Sequence, residues 1–489
     1  MSILKKLASQ TAVYGLSTMV GRFLNFLLVP LYTAKLALVG DYGVVSVMFA
    51  YASFGAVLAA LGLETGFFHF ARKTENPARV FATAGHALII TGLFAVLTAK
   101  LFALPIMDLL GYPEHPEYAL WFAIILAADA LSALGFAWLR QQEKPWAFAA
   151  VRLTNIGVNI GANLFFVLLC PYWASQGHEW AVYWARPEQM VSNIFLSNLL
   201  ASVVTLPLLA GAFSNLREGL DRGLLNDMLR YSLPMVVVGL AGMVNETFDR
   251  ILLKHLLPNG SAEYEVGVYS AFYKLSLVLT LFVQAFRFAA EPFFFSRAGD
   301  EKAPETYAYV MRWFSYVVGF LFLATLVSLP FLGPLLIRNP QYFADNRGMS
   351  VVPILLAANV CLGLYYNLSV WYKVSGKTQW GAIIALGGAM LTLVGNFYLI
   401  PRLGFEGSAW TTLGAYASMV IAAYIWGQKA YPIPYELGKI LPALTLAFAC
   451  GYAVLTMPEL QSLAWMAVPA YLMGVWLIER PWKRIKSKS

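Results

Sequence analysis

The sequence predicts an all-α integral membrane protein of about fourteen transmembrane helices, with two six-helix lobes in parallel pseudo-repeat and two further helices toward the C-terminus. Three observations predict it. Hydrophobic residues make up 59% of the 489 residues and charged residues only 12%, with a mean hydropathy of +0.64; an ordinary soluble domain carries about 25% charged residues. The apolar residues fall into runs of about 20, long enough to cross the hydrocarbon as helices. Lipid offers the backbone no hydrogen-bonding partner, so such runs must be helical, and the ~10-residue alternating segments of a membrane β-barrel do not occur in the sequence.

Taken in order, the spans cover approximately 8–35, 41–68, 79–104, 118–139, 146–169, 189–211, 232–257, 266–292, 307–330, 349–372, 379–400, 407–427, 438–456 and 463–478. The first follows Lys5 and Lys6, as a secretory signal would. It runs well past the ~7–15 residues of a signal's apolar core and lacks a small-x-small cleavage site, so it is expected to be a retained span. Six spans precede residues 214–231, a stretch of mixed charge in which Leu220, Leu224, Leu225 and Met228 recur at helical spacing. That pattern predicts an amphipathic surface helix joining two halves. The expected division is an N-terminal lobe over 1–213, the linker over 214–231, a C-terminal lobe over 232–427, and the last two spans with a basic tail over 428–489.

The halves repeat one another. Tyr42-Gly43-Val44-Val45-Ser46 is matched by Val266-Gly267-Val268-Tyr269-Ser270, and Glu64-Thr65-Gly66-Phe67-Phe68 by Glu291-Pro292-Phe293-Phe294-Phe295. Lys144 precedes Asn163 by the same 19 residues that separate Lys377 from Asn396. Both halves start on one side, so the repeat is parallel, and sites in such folds lie between the halves near the midplane.

An even number of spans puts both termini on one face. That face holds 22 of the 34 Lys and Arg residues, the opposite face 7, and the spans themselves the other five. The positive-inside rule therefore predicts cytoplasmic termini. The net charge of +8 is mostly this orientation signal, and no nucleic-acid partner is implied. Lys483-Arg484-Ile485-Lys486 reads as a juxtamembrane anchor. Cys170, Cys361 and Cys450 show no metal or disulfide spacing, and the five histidines no ligand spacing.

The charges within the spans carry the functional information. Arg22, Arg152, Arg250, Lys274 and Arg287 lie in otherwise lipid-like stretches, where a cation costs roughly 2.5–3.5 kcal/mol even on the lenient insertion scale. Such residues face a bundle interior or a watery cavity, and several of them suggest a cavity for something anionic. Each has a structural alternative. Arg22 is either a cavity cation or half of a buried ion pair. Arg250 with Glu246, and Arg287 with Glu291, have the i, i+4 spacing of fixed pairs. Arg152 and Arg287 are close enough to span ends to snorkel. Asn155, Asn159 and Asn163 continue the face of Arg152, and Asn25 follows Arg22. With Asn396 they form a candidate polar lining for sugar hydroxyls, or interhelical glue. Asp129, Glu246 and Asp249 are the deep carboxylates, candidates for proton or sodium coupling or for neutralising an arginine. The aromatic stretch from Pro171-Tyr172-Trp173 to Trp184 fits an interfacial anchor or a sugar-stacking surface.

Local motifs then point to a family. Gly15-Leu16-Ser17 through Arg22-Phe23-Leu24-Asn25, followed by Pro30-Leu31-Tyr32 and Asp41-Tyr42-Gly43, resembles the first span and loop of the polysaccharide flippases. These form a branch of the multidrug/oligosaccharidyl-lipid/polysaccharide exporter superfamily. Ser375-Gly376-Lys377-Thr378, Asn396 to Ile400-Pro401, and Gly404-Phe405-Glu406-Gly407-Ser408-Ala409 are similar to the family's span 10–12 region. The resemblance implies a two-lobe, alternating-access transporter with a central cationic cavity. It also implies an undecaprenyl-diphosphate-linked oligosaccharide as substrate and an ion gradient as drive.

The expected function is therefore flipping of a lipid-linked oligosaccharide repeat unit, by a monomer in the bacterial inner membrane that associates with polysaccharide assembly proteins. A lipid II flippase is the runner-up. A multidrug antiporter is third, and the five intramembrane cations oppose it. No Walker A motif occurs, no cofactor or metal is implied, and the outer loops are too short for a polysaccharide ligase or polymerase. The chain is not expected to be an enzyme.

Overall fold

The computed structural model describes residues 3–258, 260–344, 346–457 and 463–480; the basic tail expected to anchor at the membrane lies outside them. Among the described residues every regular element is helical. The long helices are α1 (Ile3–Phe26), α2 (Val39–Ala60), α3 (Pro77–Leu101), α4 (Glu117–Gln141), α5 (Pro145–Leu164), α6 (Met190–Leu208) and α7 (Arg222–Leu256). They continue as α8 (Ala262–Arg297), α9 (Ala303–Leu336), α10 (Arg347–Leu368), α11 (Gln379–Leu403), α12 (Phe405–Ala430), α13 (Leu437–Thr456) and α14 (Ala467–Glu479). Twelve helical stretches are long and apolar enough to cross a membrane. The 26-residue α12 and the 13-residue α14, which fall outside those twelve, stand where the twelfth and fourteenth spans are expected.

Local chemistry sets the breaks. Span 1 stops at Phe26 and resumes as Val29–Lys35, with Pro30 in its first turn. Span 2 breaks at Leu61 and Gly62, both at positive φ, before Leu63–Ala71. α3 begins at Pro77 with the Asn76 side chain accepting from the Arg79 N–H, an N-cap with proline where no donor is needed.

The chain divides into two compact units. The first comprises the described residues of Met1–Ala271, Ile337–Tyr342 and Thr392–Ser408. Its core sets α3 against α4, α4 and α5 against α6, α1 against α5, and α7 against α2. Residues 214–231, expected as an amphipathic surface helix, are built differently. Ser214–Glu218 is a 3-10 turn, and α7 then runs unbroken from Arg222, capped by Asp221. Met228 is fully buried beside Phe67, Phe81 and Leu134, with Leu224 and Leu225 packed on the same cluster. The apolar stripe covers protein because a spacing of three and four suits a protein core as well as a lipid surface.

Within this unit α2 and the start of α8 cross closely. A Cβ on Gly43 would lie 2.1 Å from the Glu263 carbonyl oxygen, and one on Gly267 would lie 2.1 Å from that of Val39. The contact is reciprocal: each glycine meets the carbonyl four residues before the other. These are the two glycines that the internal repeat pairs, so the repeat appears here as local symmetry. Arg250, on α7, approaches the Tyr269 ring of α8 at 5.9 Å.

The second unit comprises the described residues of Phe272–Leu336, Phe343–Leu391 and Ala409–Ser489. There α9 packs against α10, α13 and α14. Arg312 of α9 ties the last two helices down, donating to Glu436 at 2.5 and 2.7 Å and lying 3.3 Å from Glu479.

Candidate functional site

The polar residues of α1, α4, α5 and α6 form a patch on the first unit. Arg22, Asn25 and Asp129 are exposed, and Arg152, Asn155 and Asn159 half-buried. Asp129 interacts electrostatically with Arg152 and accepts a hydrogen bond from Ser202; Arg152 in turn feels Arg22. The partner missing from the neighbourhood of Asp129 in the sequence is thus supplied by α5. Two like charges near one carboxylate leave a net positive patch, suited to an anion.

The asparagines on α5 divide by role. Asn155 donates to the Ala201 carbonyl at 3.0 Å and the Thr205 hydroxyl at 2.8 Å. Asn163 is fully buried, accepts from the Tyr32 hydroxyl at 2.8 Å and donates to the Asn159 carbonyl at 2.9 Å. Both act as interhelical ties. Asn159 reaches toward Asn25 at 3.4 Å, at the exposed end of the network. Asn396, the counterpart of Asn163 in the repeat, is likewise fully buried, donating to the Thr392 carbonyl at 2.8 Å.

Arg250 departs from its expected pairing. Its guanidinium donates to Asp249 at 3.0 Å and to the main-chain carbonyl of Glu246 at 3.2 Å. The Glu246 side chain is exposed. Asp249 also accepts from the Tyr269 hydroxyl at 2.6 Å, and the Asp249 and Arg250 side chains are only 6% and 10% exposed. The i, i+4 spacing brings Glu246 near, but α8 presents a hydroxyl to Asp249 and draws the pair inward. The result is a buried strut between α7 and α8.

In the second unit, Lys274 is half-buried on α8. The expected pair of Arg287 and Glu291 is present at 3.1 Å. Lys373, counted from sequence as a loop cation, joins it with Nζ 2.5 Å from Glu291. The sequence carried no sign of Ser202, a lone hydroxyl in an apolar run, and offered Tyr32 and Tyr269 only as members of motifs, with no hint of the partners their hydroxyls meet.

A family profile described as polysaccharide biosynthesis protein matches residues 7–296, more than half of the chain. The chain belongs to this polysaccharide biosynthesis family. No curated protein sequence matches it significantly. Among solved structures, the lipid II flippase MurJ in an inward closed conformation is similar at TM-score 0.68 and 12% identity, over 95% of this chain and 97% of that one. An inward-facing multidrug resistance MATE transporter of the MOP superfamily is similar at TM-score 0.63 and 16% identity, over 86% and 94%. A MATE protein in complex with MaD3S gives 0.60 and 16%, over 87% and 95%. At these identities the likeness concerns the fold. This member of the polysaccharide biosynthesis family is a multi-pass membrane protein with the fold of MOP-superfamily transporters and flippases, which are not enzymes.

Proposed function

We propose that this protein flips a polyprenyl-diphosphate-linked oligosaccharide repeat unit from the cytoplasmic to the outer leaflet by alternating access. The observation that carries the reading is the partly exposed, net positive patch of Arg22, Arg152 and Asp129 with Asn25 and Asn159, in a chain of a polysaccharide biosynthesis family. Arginines pair with the diphosphate as planar forks, and the neighbouring amides hydrogen-bond sugar hydroxyls. Lys274 and Arg287 belong to the same reading as further cavity cations. The strut geometry of Asp249 and Arg250 favours a structural part for both.

The carrier works without a cofactor, driven by a proton or sodium gradient through Asp129 or Glu246, the two deep carboxylates with exposed side chains. It resides as a monomer in the bacterial inner membrane with both termini cytoplasmic, alongside polysaccharide assembly proteins. The fold likeness to the lipid II flippase MurJ supports a second reading, lipid II as substrate.

The test is reconstitution in proteoliposomes with fluorescent lipid-linked oligosaccharide in one set and lipid II in another, under imposed proton or sodium gradients. Flipping of the oligosaccharide lipid above the protein-free rate is expected. Flipping of lipid II alone would favour the second reading, and flipping of neither would end both.

A further inference from the structure

The internal repeat exposes an asymmetry. In the first half, Glu64 pairs with Arg140, whose guanidinium lies 4.9 Å from the Phe68 ring. In the second half the equivalent glutamate, Glu291, pairs with Lys373 in the same way. Each pair joins the second span of its half to the fourth, and one cation suffices for it. The second half nevertheless carries two more polar groups. Arg287, four residues before Glu291, donates to it at 3.1 Å and lies over the Tyr366 ring at 4.7 Å. Counting back equally in the first half, from Glu64 and from Arg140, gives Ala60 and Ala133. The strut therefore does not require Arg287 or Tyr366.

What the two additions accompany is a pocket. An open depression is lined by Arg287, Glu291, Lys373 and Tyr366, with apolar walls that include the half-buried Phe286 and the exposed Phe295. Arg287, Glu291 and Lys373 are 43%, 35% and 23% exposed, so an incoming group reaches them. Two cations against one carboxylate leave one positive charge in excess. Apolar walls beside an excess cation suit an amphiphile with an anionic head.

We propose that this pocket of the second unit is a docking site for the diphosphate head of a prenyl-linked substrate, with Glu291 holding the place of the ligand when the pocket is empty. The inference rests on the flippase reading and adds to it a first capture step at the end of α8 and α10 that faces the cytoplasm under that reading. A diphosphate oxygen takes over the hydrogen bonds from Arg287 and Lys373, and the first isoprene units lie against Phe286 and Phe295. Glu291 and the ligand then compete for the same two cations.

The experiment is equilibrium dialysis of labelled farnesyl diphosphate against the full-length protein in detergent. Arg287→Gln and Lys373→Gln are expected to weaken binding by roughly tenfold or more, the scale of losing a hydrogen bond to a charged group. Glu291→Gln removes the competitor and is expected to tighten binding several-fold. The pyrophosphate and phosphatidic acid arms use the unaltered protein and keep the idea falsifiable if any variant fails to fold. Inorganic pyrophosphate, lacking the chain, is expected to bind at least about tenfold more weakly. Unchanged binding in the cation variants, unchanged or weaker binding in Glu291→Gln, or equal affinity for pyrophosphate would each overturn the proposal. Displacement by phosphatidic acid as readily as by farnesyl diphosphate would also overturn it, assigning the pocket to bulk lipid. A protein that binds the probe as described but flips no oligosaccharide lipid would refute the transport reading and leave the pocket standing; flipping with probe binding indifferent to these variants would do the reverse.

Discussion

Gly43→Ala should force α2 and α8 apart. The added Cβ would sit 2.1 Å from the Glu263 carbonyl oxygen, about 1.3 Å short of the 3.4 Å at which ordinary contact begins. The obstructing atom is main chain, so no side-chain rotation relieves it and one helix must shift. Overpacking of this kind costs about 1–3 kcal/mol, a factor of roughly 5 to 150 in the balance between the packed crossing and any conformation in which it is open. Gly267→Ala attacks the same crossing from the other side, since its Cβ would meet the Val39 carbonyl oxygen at 2.1 Å. The two substitutions share one contact, so the second should cost less once the first has opened it. The readout is maleimide labelling of a cysteine at Val39, which is only 3% exposed, in a background without Cys170, Cys361 and Cys450. Gly43→Ala should raise the labelling rate by the same 5-to-150-fold order. Labelling and thermal midpoint both unchanged would refute the close-packed crossing, and strictly additive effects of the two substitutions would refute its reciprocity.

Other outcomes follow from the same contacts. Asp249→Asn leaves Arg250 buried with a weakened partner and should destabilise the protein by about 3–5 kcal/mol, with flipping lost in proportion to folded protein in a detergent thermal-shift assay; a normal midpoint with lost flipping would return Asp249 to ion coupling. Arg22 is exposed, so Arg22→Ala should change stability by no more than about 0.5 kcal/mol while flipping falls strongly. Arg22→Lys should keep part of the activity, as a point charge without the fork; equal loss of fold and transport would make Arg22 structural. Asp221 lies outside the spans, and the Leu224 N–H it accepts, with Arg79 nearby, holds its carboxyl below the ordinary 3.8. Its capping is therefore complete above the unfolded-state pKa and is lost as pH falls through the lowered folded value. Amide exchange over 222–228 should be faster in Asp221→Ala than in the parent near neutral pH, with the difference closing below the ordinary carboxylate range; a difference independent of pH would refute the assignment.

The helices were legible from length and apolarity because a span must satisfy its own backbone. Even α12, containing Glu406 and Trp410, is continuous for 26 residues. Partners across helices were not legible. Helical spacing encodes proximity on one helix, and there it succeeded for Arg287 with Glu291. It failed for Arg250, because the choice between Glu246 and Asp249 is made by a Tyr269 hydroxyl on another helix. Asp129 looked isolated because Ser202 and Arg152 reach it from α6 and α5. The linker misled for a related reason: Met228 at helical spacing does not say whether lipid or Phe67 will cover it.

The repeat is where sequence and structure inform each other most. Paired motifs alone cannot separate inherited likeness from present use. Geometry separates them, because whatever both halves keep is explained by a need both halves share. Gly43 and Gly267 both let a carbonyl approach. Asn163 and Asn396 both tie back to the carbonyl four residues earlier, and Glu64 and Glu291 both brace a second span to a fourth. These are requirements of the scaffold. What only one half keeps is left over after the scaffold is satisfied. By that criterion Arg22 with Arg152 and Asp129 in the first half, and Lys274 and Arg287 with Tyr366 in the second, are the groups whose charge and polarity the fold alone does not explain. Transport chemistry is to be sought at those groups, rather than at every intramembrane charge.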